Sequence, residues 1–211
     1  MLGGNMALGG SMTAKKVGAV GPGFAWHLRN RMRRSYWLGW FYAQLAYLFN
    51  RLTGIPTITS NLAIRVRRST GEWIDYGIVS YRLVTDAGVA FIVDDWDNSG
   101  TDISTLNYHG CGTGGTAEAA GDTALVTEST TALNPDSTRA TGTRSQPTAP
   151  QYRSVGTLTF DASAAVTEHG LFSQAATGGG TLWDRSLFSA INVASGDSIQ
   201  FTYTVSLSSG G

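Results

Sequence analysis

The stretch TITSNLAIRVR, residues 57–67, decides the fold class. Ile58, Leu62, Ile64 and Val66 alternate with polar neighbours, the period of a strand with one buried face. Downstream, residues 73–84 (WIDYGIVSYRLV) and 89–93 (VAFIV) read as two more strands, parted by a turn at Thr85, Asp86, Ala87 and Gly88. After Asp94 the chain is turn-like to about Gly121, and residues 130–151, rich in Thr, Ser, Pro and Arg, read as a long polar loop or extended hairpin. Strand patterns return at 155–160, 166–172, 181–188 and 198–207, with GGG at 178–180 and SGD at 195–197 as hairpin turns. Several short strands with no alternating helices predict a mainly β protein, a β-sandwich or jelly-roll-like body. There is no internal repeat of fixed period.

Upstream the period changes to that of a helix. Residues 26–52 (WHLRNRMRRSYWLGWFYAQLAYLFNRL) contain no Pro, and Leu38, Phe41, Leu45, Leu48 and Leu52 follow helical spacing along one face. From Tyr36 to Phe49 only Gly39 and Gln44 interrupt the apolar run, so this helix needs cover on nearly every side. Fourteen residues rise about 21 Å, short of a hydrocarbon core of roughly 30 Å, which disfavours a transmembrane span. A secretory signal peptide also fits poorly, because the run starts late and has no small-residue cleavage site. Residues 1–23 are Gly-rich and aperiodic, an extended tail. The chain therefore divides into an N-terminal arm with one apolar helix, residues 1–55, and a β body, residues 56–211.

The 211 residues suit one domain with an appendage, or two small ones, and are enough for a real core. Only 14% are charged, 27 are Gly and one is Cys, which excludes an intramolecular disulfide framework and a multi-cysteine zinc site. Fifteen basic residues balance fifteen acidic ones, but they are segregated. Lys15, Lys16, Arg29, Arg31, Arg33, Arg34, Arg51, Arg65, Arg67 and Arg68 precede the first acid, Glu72. A basic arm on an acidic body predicts an anionic partner for the arm, or a fold-back onto the chain's own body. Arg residues interleaved with Trp26, His27, Trp37 and Trp40 could track a phosphate backbone, yet the aromatic residues merge into a greasy run that a solvated nucleic-acid groove would not favour. Protein docking accounts for both features, with Trp26, Arg31, Arg33, Arg34, Trp37, Leu38, Trp40, Phe41, Leu45 and Leu48 as the anchor.

No catalytic constellation emerges. Asp95, Asp97 and Ser99 with Gly100 begin a calcium-loop pattern, but Leu106 stands where a bidentate Glu belongs. His109 and Cys111 could ligate a metal or act as base and nucleophile, but their glycines favour a tight turn and further partners are missing. Glu168 and His169 are adjacent on a strand and so point to opposite faces. GCGTGG at 110–115 lacks the lysine of a phosphate cradle. Arg65, Arg67 and Arg68 read as a solvated face. No cofactor and no resident metal is expected.

From Tyr76 to Gly211 the chain resembles a family of tailed-bacteriophage virion structural proteins. The residues that carry it are TAE at 116–118, DTALVT at 122–127, RATGT at 139–143, YRSV at 152–155, TEHGLF at 167–172, GTLWDRS at 180–186 and AINVASGDSIQFTY at 190–203. Similar strands followed by a Gly hairpin occur in phage tail-fibre and collar-type modules. The resemblance implies a non-enzymatic virion component: a capsid decoration or head-fibre protein, or alternatively a tail, neck or baseplate fibre. In the fibre reading the body binds a receptor or carbohydrate through Tyr108, His109, Trp183 and the 130–151 loop. Other virion proteins and further copies of the chain, as in a trimer, are the expected partners, with neither free nucleic acid nor membrane among them.

Overall fold

The computed structural model describes residues 21–82, 84–98 and 100–209. The tail up to residue 20, with Lys15 and Lys16, and Ser99 of the calcium pattern lie outside the described residues. The protein is mainly β, with two antiparallel sheets. The strands are β1 (Thr57–Arg67), β2 (Trp73–Arg82), β3 (Tyr108–Gly112), β4 (Ala140–Thr141), β5 (Thr143–Ser145), β6 (Gln151–Thr159), β7 (Ala164–Phe172), β8 (Leu182–Val193) and β9 (Ser198–Ser208). One sheet has the order β2-β1-β9-β6-β5 and the other β4-β3-β7-β8.

The alternation in residues 57–67 holds from Leu62 onward, whereas Ile58, expected on the same buried face, is exposed at the start of the strand. Leu62, Ile64 and Val66 of β1 are fully buried and lie opposite Tyr203, Phe201 and Ile199 of β9. These side chains join Val166, Leu171, Phe188 and Ile191 from the other sheet in one cluster, so both sheets share a single core. Each such buried side chain contributes about 1.5–3 kcal/mol.

Among the described residues, three helices accompany the sheets: α1 (Phe24–Arg31), α2 (Arg34–Thr53) and α3 (Asp86–Trp96). The single helix expected over 26–52 is thus two. The break falls at Met32 and Arg33, where Arg33 is extended (φ −63°, ψ 131°). The cause lies in the body: the Asn30 amide donates to the Val79 carbonyl of β2 (2.9 Å) and accepts from the Ser189 N–H of β8 (2.9 Å). The Trp26 indole donates to the Ala190 carbonyl (3.0 Å) and the Arg33 guanidinium to the Phe188 carbonyl (3.1 Å). Strands β2 and β8 end their respective sheets, so α1 covers two strand edges that would otherwise offer unpaired backbone groups.

The VAFIV segment, expected as a strand after a turn, belongs to α3. Thr85 is its N-cap, its hydroxyl accepting from Gly88 N–H (3.0 Å) and donating to the Leu182 carbonyl (2.6 Å), and Asp86 sits in the first turn. The cap and the following acid outweigh the β-branched run, because a short apolar stretch has no decisive period of its own.

Replacing Asn30 with Ala strands two buried backbone groups on opposite sheets and should cost about 2–4 kcal/mol in chemical denaturation. A loss below about 0.5 kcal/mol would mean that α1 does not join the sheets.

Candidate functional site

Gly39, Ala43, Ala46 and Asn50 recur at helical spacing and form the face of α2 turned to the body. Contact is that close because Gly39 has no side chain: a Cβ there would fall on the Tyr81 carbonyl of β2. The helix ends at Gly54, which adopts the left-handed conformation (φ 71°) and donates to the Asn50 carbonyl (2.8 Å). With small residues inside, the large ones point away. Trp37 is 55% exposed, Leu48 52% and Leu52 77%, and Trp40, Phe41 and Leu45 are likewise exposed. Trp37 and Phe41 stack on each other at 5.6 Å with nearly parallel rings. A soluble monomer normally buries such a stripe, so this helix is turned inside out relative to its own body.

The expected anchor residues therefore divide into two groups. Trp37, Trp40, Phe41, Leu45 and Leu48 form the exposed face, with Arg31 exposed at the end of α1. Trp26 packs edge-on against Tyr76 at 4.6 Å, Arg33 is bound to β8, and Leu38 is half-buried toward the body. Arg34 opens α2, and its side chain lies outside the description. Burial lowers the Arg33 pKa, with the charge of Glu118 acting the other way.

Beneath α2 lies a cavity of about 420 Å³, walled by Leu38, Gly39, Ala43 and Ala46 on one side and by Tyr81 and the 117–120 segment on the other. Its charged rim is committed elsewhere. The Glu118 carboxylate accepts from Leu187 N–H (2.7 Å). The Arg185 guanidinium donates to Glu168 (2.9 Å), Asp122 (3.0 Å) and the Thr116 carbonyl (3.0 Å). Burial alone would lower the Arg185 pKa, but hydrogen bonds and charge from Asp122 and Glu168 raise it. Glu168 also accepts from the N–H groups of Gly114 (3.0 Å), Val126 (3.2 Å) and Thr127 (2.8 Å). This carboxylate straps the 113–128 segment over the outer face of its sheet. Gly112 and Gly114 of GCGTGG serve that strap, since a Cβ at Gly112 would collide with the Thr127 carbonyl and one at Gly114 with the Glu168 carboxylate. Arg139 makes a second strap, bidentate to Glu128 (2.6 and 3.0 Å) with its guanidinium 3.4 Å above the Phe172 ring.

His109 and Cys111, expected in a tight turn, lie instead in strand β3. Glu168 and His169 do point to opposite faces, and both are fully buried because the strap covers the outer one. On the inner face the fold joins residues sixty positions apart, a pairing that local spacing cannot announce. His109 Nδ1 lies 3.0 Å from His169 Nε2, His109 Nε2 lies 2.8 Å from the Ser154 hydroxyl of the facing sheet, and Phe201 packs on both rings. His169 Nδ1 has no protein partner. Burial holds both imidazoles neutral, lowering the His109 pKa to about 3 and that of His169 well below its ordinary value. Burial also pushes the Cys111 thiol up to about 12, leaving no thiolate for nucleophilic attack.

The remaining candidates have structural roles. Asp95 accepts from Ile103 N–H (3.1 Å), and Asp102 caps the 3-10 turn Ile103–Thr105 through Ser104 N–H (2.8 Å). Trp183, expected at a recognition tip, is buried and donates to the Tyr203 hydroxyl (2.9 Å). Among the described residues, no group of three or more His, Cys, Asp and Glu side chains is placed to hold a metal ion. Among them, too, no helix is long and apolar enough to cross a membrane. No protein-family model, curated protein or solved structure matches the chain.

The histidine pair sets a pH dependence. Both folded pKa values lie below the unfolded value of about 6.5, so the unfolded chain takes up protons that the native chain refuses. The associated stability is fully present above pH ~6.5 and falls below it, by up to ~1.4 kcal/mol per pH unit for each histidine. Denaturant midpoints should decline steeply between pH 6.5 and 4.5, and His169→Phe should make that decline clearly shallower. The same slope in the variant would contradict this origin.

Proposed function

We propose that the chain is a structural, non-catalytic component of a bacteriophage particle: a capsid decoration or head-fibre protein with a β-sandwich, jelly-roll-like body mounted through its N-terminal helices. The carrying observation is the inverted α2, whose aromatic and leucine side chains face away from the body that holds it. A permanent apolar contact with a neighbouring subunit is the arrangement that makes such a face stable in water. Buried polar groups support the non-catalytic reading: His109 and His169 are enclosed in the core, and Glu168 and Arg185 lie buried under the strap. The TEHGLF and GTLWDRS segments, on which the likeness to virion proteins rests, supply Glu168 and Arg185 to that enclosed network. A body braced in this way suits repeated presentation on a symmetric shell.

Phe41→Glu with Leu48→Glu alters only exposed positions of α2 and should leave a folded body. Incorporation into particles should drop at least tenfold, measured by quantitative gel or mass spectrometry of purified virions. Particles lacking the chain should release their genome at a lower temperature. Normal incorporation of the variant would refute the mounting role, and unchanged heat tolerance with lost adsorption would replace decoration with a fibre role.

A further inference from the structure

We propose that the outward face of α2 docks on the outward face of α3 in a second copy of the chain, joining copies head to tail. This rests on the reading above that the α2 face is a docking surface, and it names the partner. Helix α3 is held to the body by its buried Gly88 and Phe91, which leaves Val89, Val93 and Trp96 as an i, i+4, i+7 stripe, 51%, 51% and 78% exposed. Asp86 and Asp94 of this helix and Asp97 at its C-cap are exposed as well. The stripe is apolar like the α2 face, and the two helical regions are opposite in charge. Helices α1 and α2, residues 24–53, contain five Arg and no acid, whereas α3 with its C-cap, residues 86–97, contains four acids and no Lys or Arg. Within one chain the two faces do not meet, because α2 rests on β1 and β2 while α3 rests on β8.

Trp37, Trp40 and Phe41 of the outward face, each about half exposed, offer on the order of 300 Å² if a full ring buries about 200 Å². With Leu45, Leu48 and Leu52 set against Val89, Val93 and Trp96, this is a contact at the small end of specific interfaces, below the ~800 Å² per partner of a standard one. Docking two different faces is a heterologous contact, which closes into a ring or extends as a fibre. Apolar contact holds the copies, and the segregated charge fixes which faces meet.

The test is light scattering of the purified full chain, of an α2 variant (Phe41→Glu with Leu48→Glu) and of an α3 variant (Val93→Lys with Trp96→Ser), with circular dichroism confirming that all three are folded. Wild type should exceed the 22.3 kDa monomer mass at least twofold. Each variant alone should be monomeric. Their equimolar mixture should form a dimer and nothing larger, because only one intact α2 face and one intact α3 face remain to pair. A monomeric wild type overturns the proposal. So does an α3 variant that still assembles, which would mean that α2 faces pair with each other, or a mixture that stays monomeric. If wild type is monomeric while the α2 variant is lost from particles, self-docking fails and the particle role stands. Assembly in solution with unchanged particle incorporation gives the reverse.

Discussion

Helix α2 can lie on its sheet only where it has no side chain to interpose. The close approach of Gly39 to the Tyr81 carbonyl, continued by Ala43 and Ala46, allots the inner face of the helix to small residues. Most large side chains between Trp37 and Leu52, with Leu38 and Tyr42 as exceptions that line the cavity beneath the helix, are then placed to the side or outward. An ordinary amphipathic surface helix spends its apolar stripe on its own domain. This one withholds most of it, and so the exposed apolar face of α2 follows from one glycine and two alanines.

The body is braced so that it can carry such a helix with few charges. Glu168 and Arg185 form a buried pair at 2.8 Å, and their remaining hydrogen bonds go to the backbone of residues 114–127 and to the Asp122 carboxylate. Buried pairs of this kind contribute little net stability against an apolar replacement, but breaking one partner is costly. What they supply here is geometry: a long excursion between β3 and β4 becomes a fixed cover. Asn30 does the same at the opposite boundary, tying β2 to β8 with one amide. His109 and Ser154 stitch the two sheets from within.

The strands were legible in the sequence wherever one face is buried and the other is not, as in residues 57–67 and 198–207. The apolar run of α2 was legible too, but not its direction, because periodicity reports that a helix has a greasy face without saying whom it faces. VAFIV misled for lack of length: five apolar residues suit either period, and the Thr85 cap decided the outcome. The split at Met32 and Arg33 was hidden because it is caused by strand-edge groups of β2 and β8, far away in the chain. The contact of His109 with His169 was hidden for the same reason. GCGTGG resembled a ligand loop, yet its glycines admit the crossing backbone at Thr127. The charge asymmetry could be counted directly, and it becomes spatial in the structure as an Arg-bearing helix pair, α1 and α2, and an Asp-bearing helix, α3.

The central claim is that the outward face of α2 is covered in the working assembly. Hydroxyl-radical footprinting reads this residue by residue, by comparing oxidation of Trp37, Phe41 and Leu48 in the dissociated chain and in the assembled state. The account predicts rapid labelling of all three when dissociated and at least tenfold protection once assembled, with buried Trp183 slow in both. Equal labelling of the α2 face in the two states would contradict it.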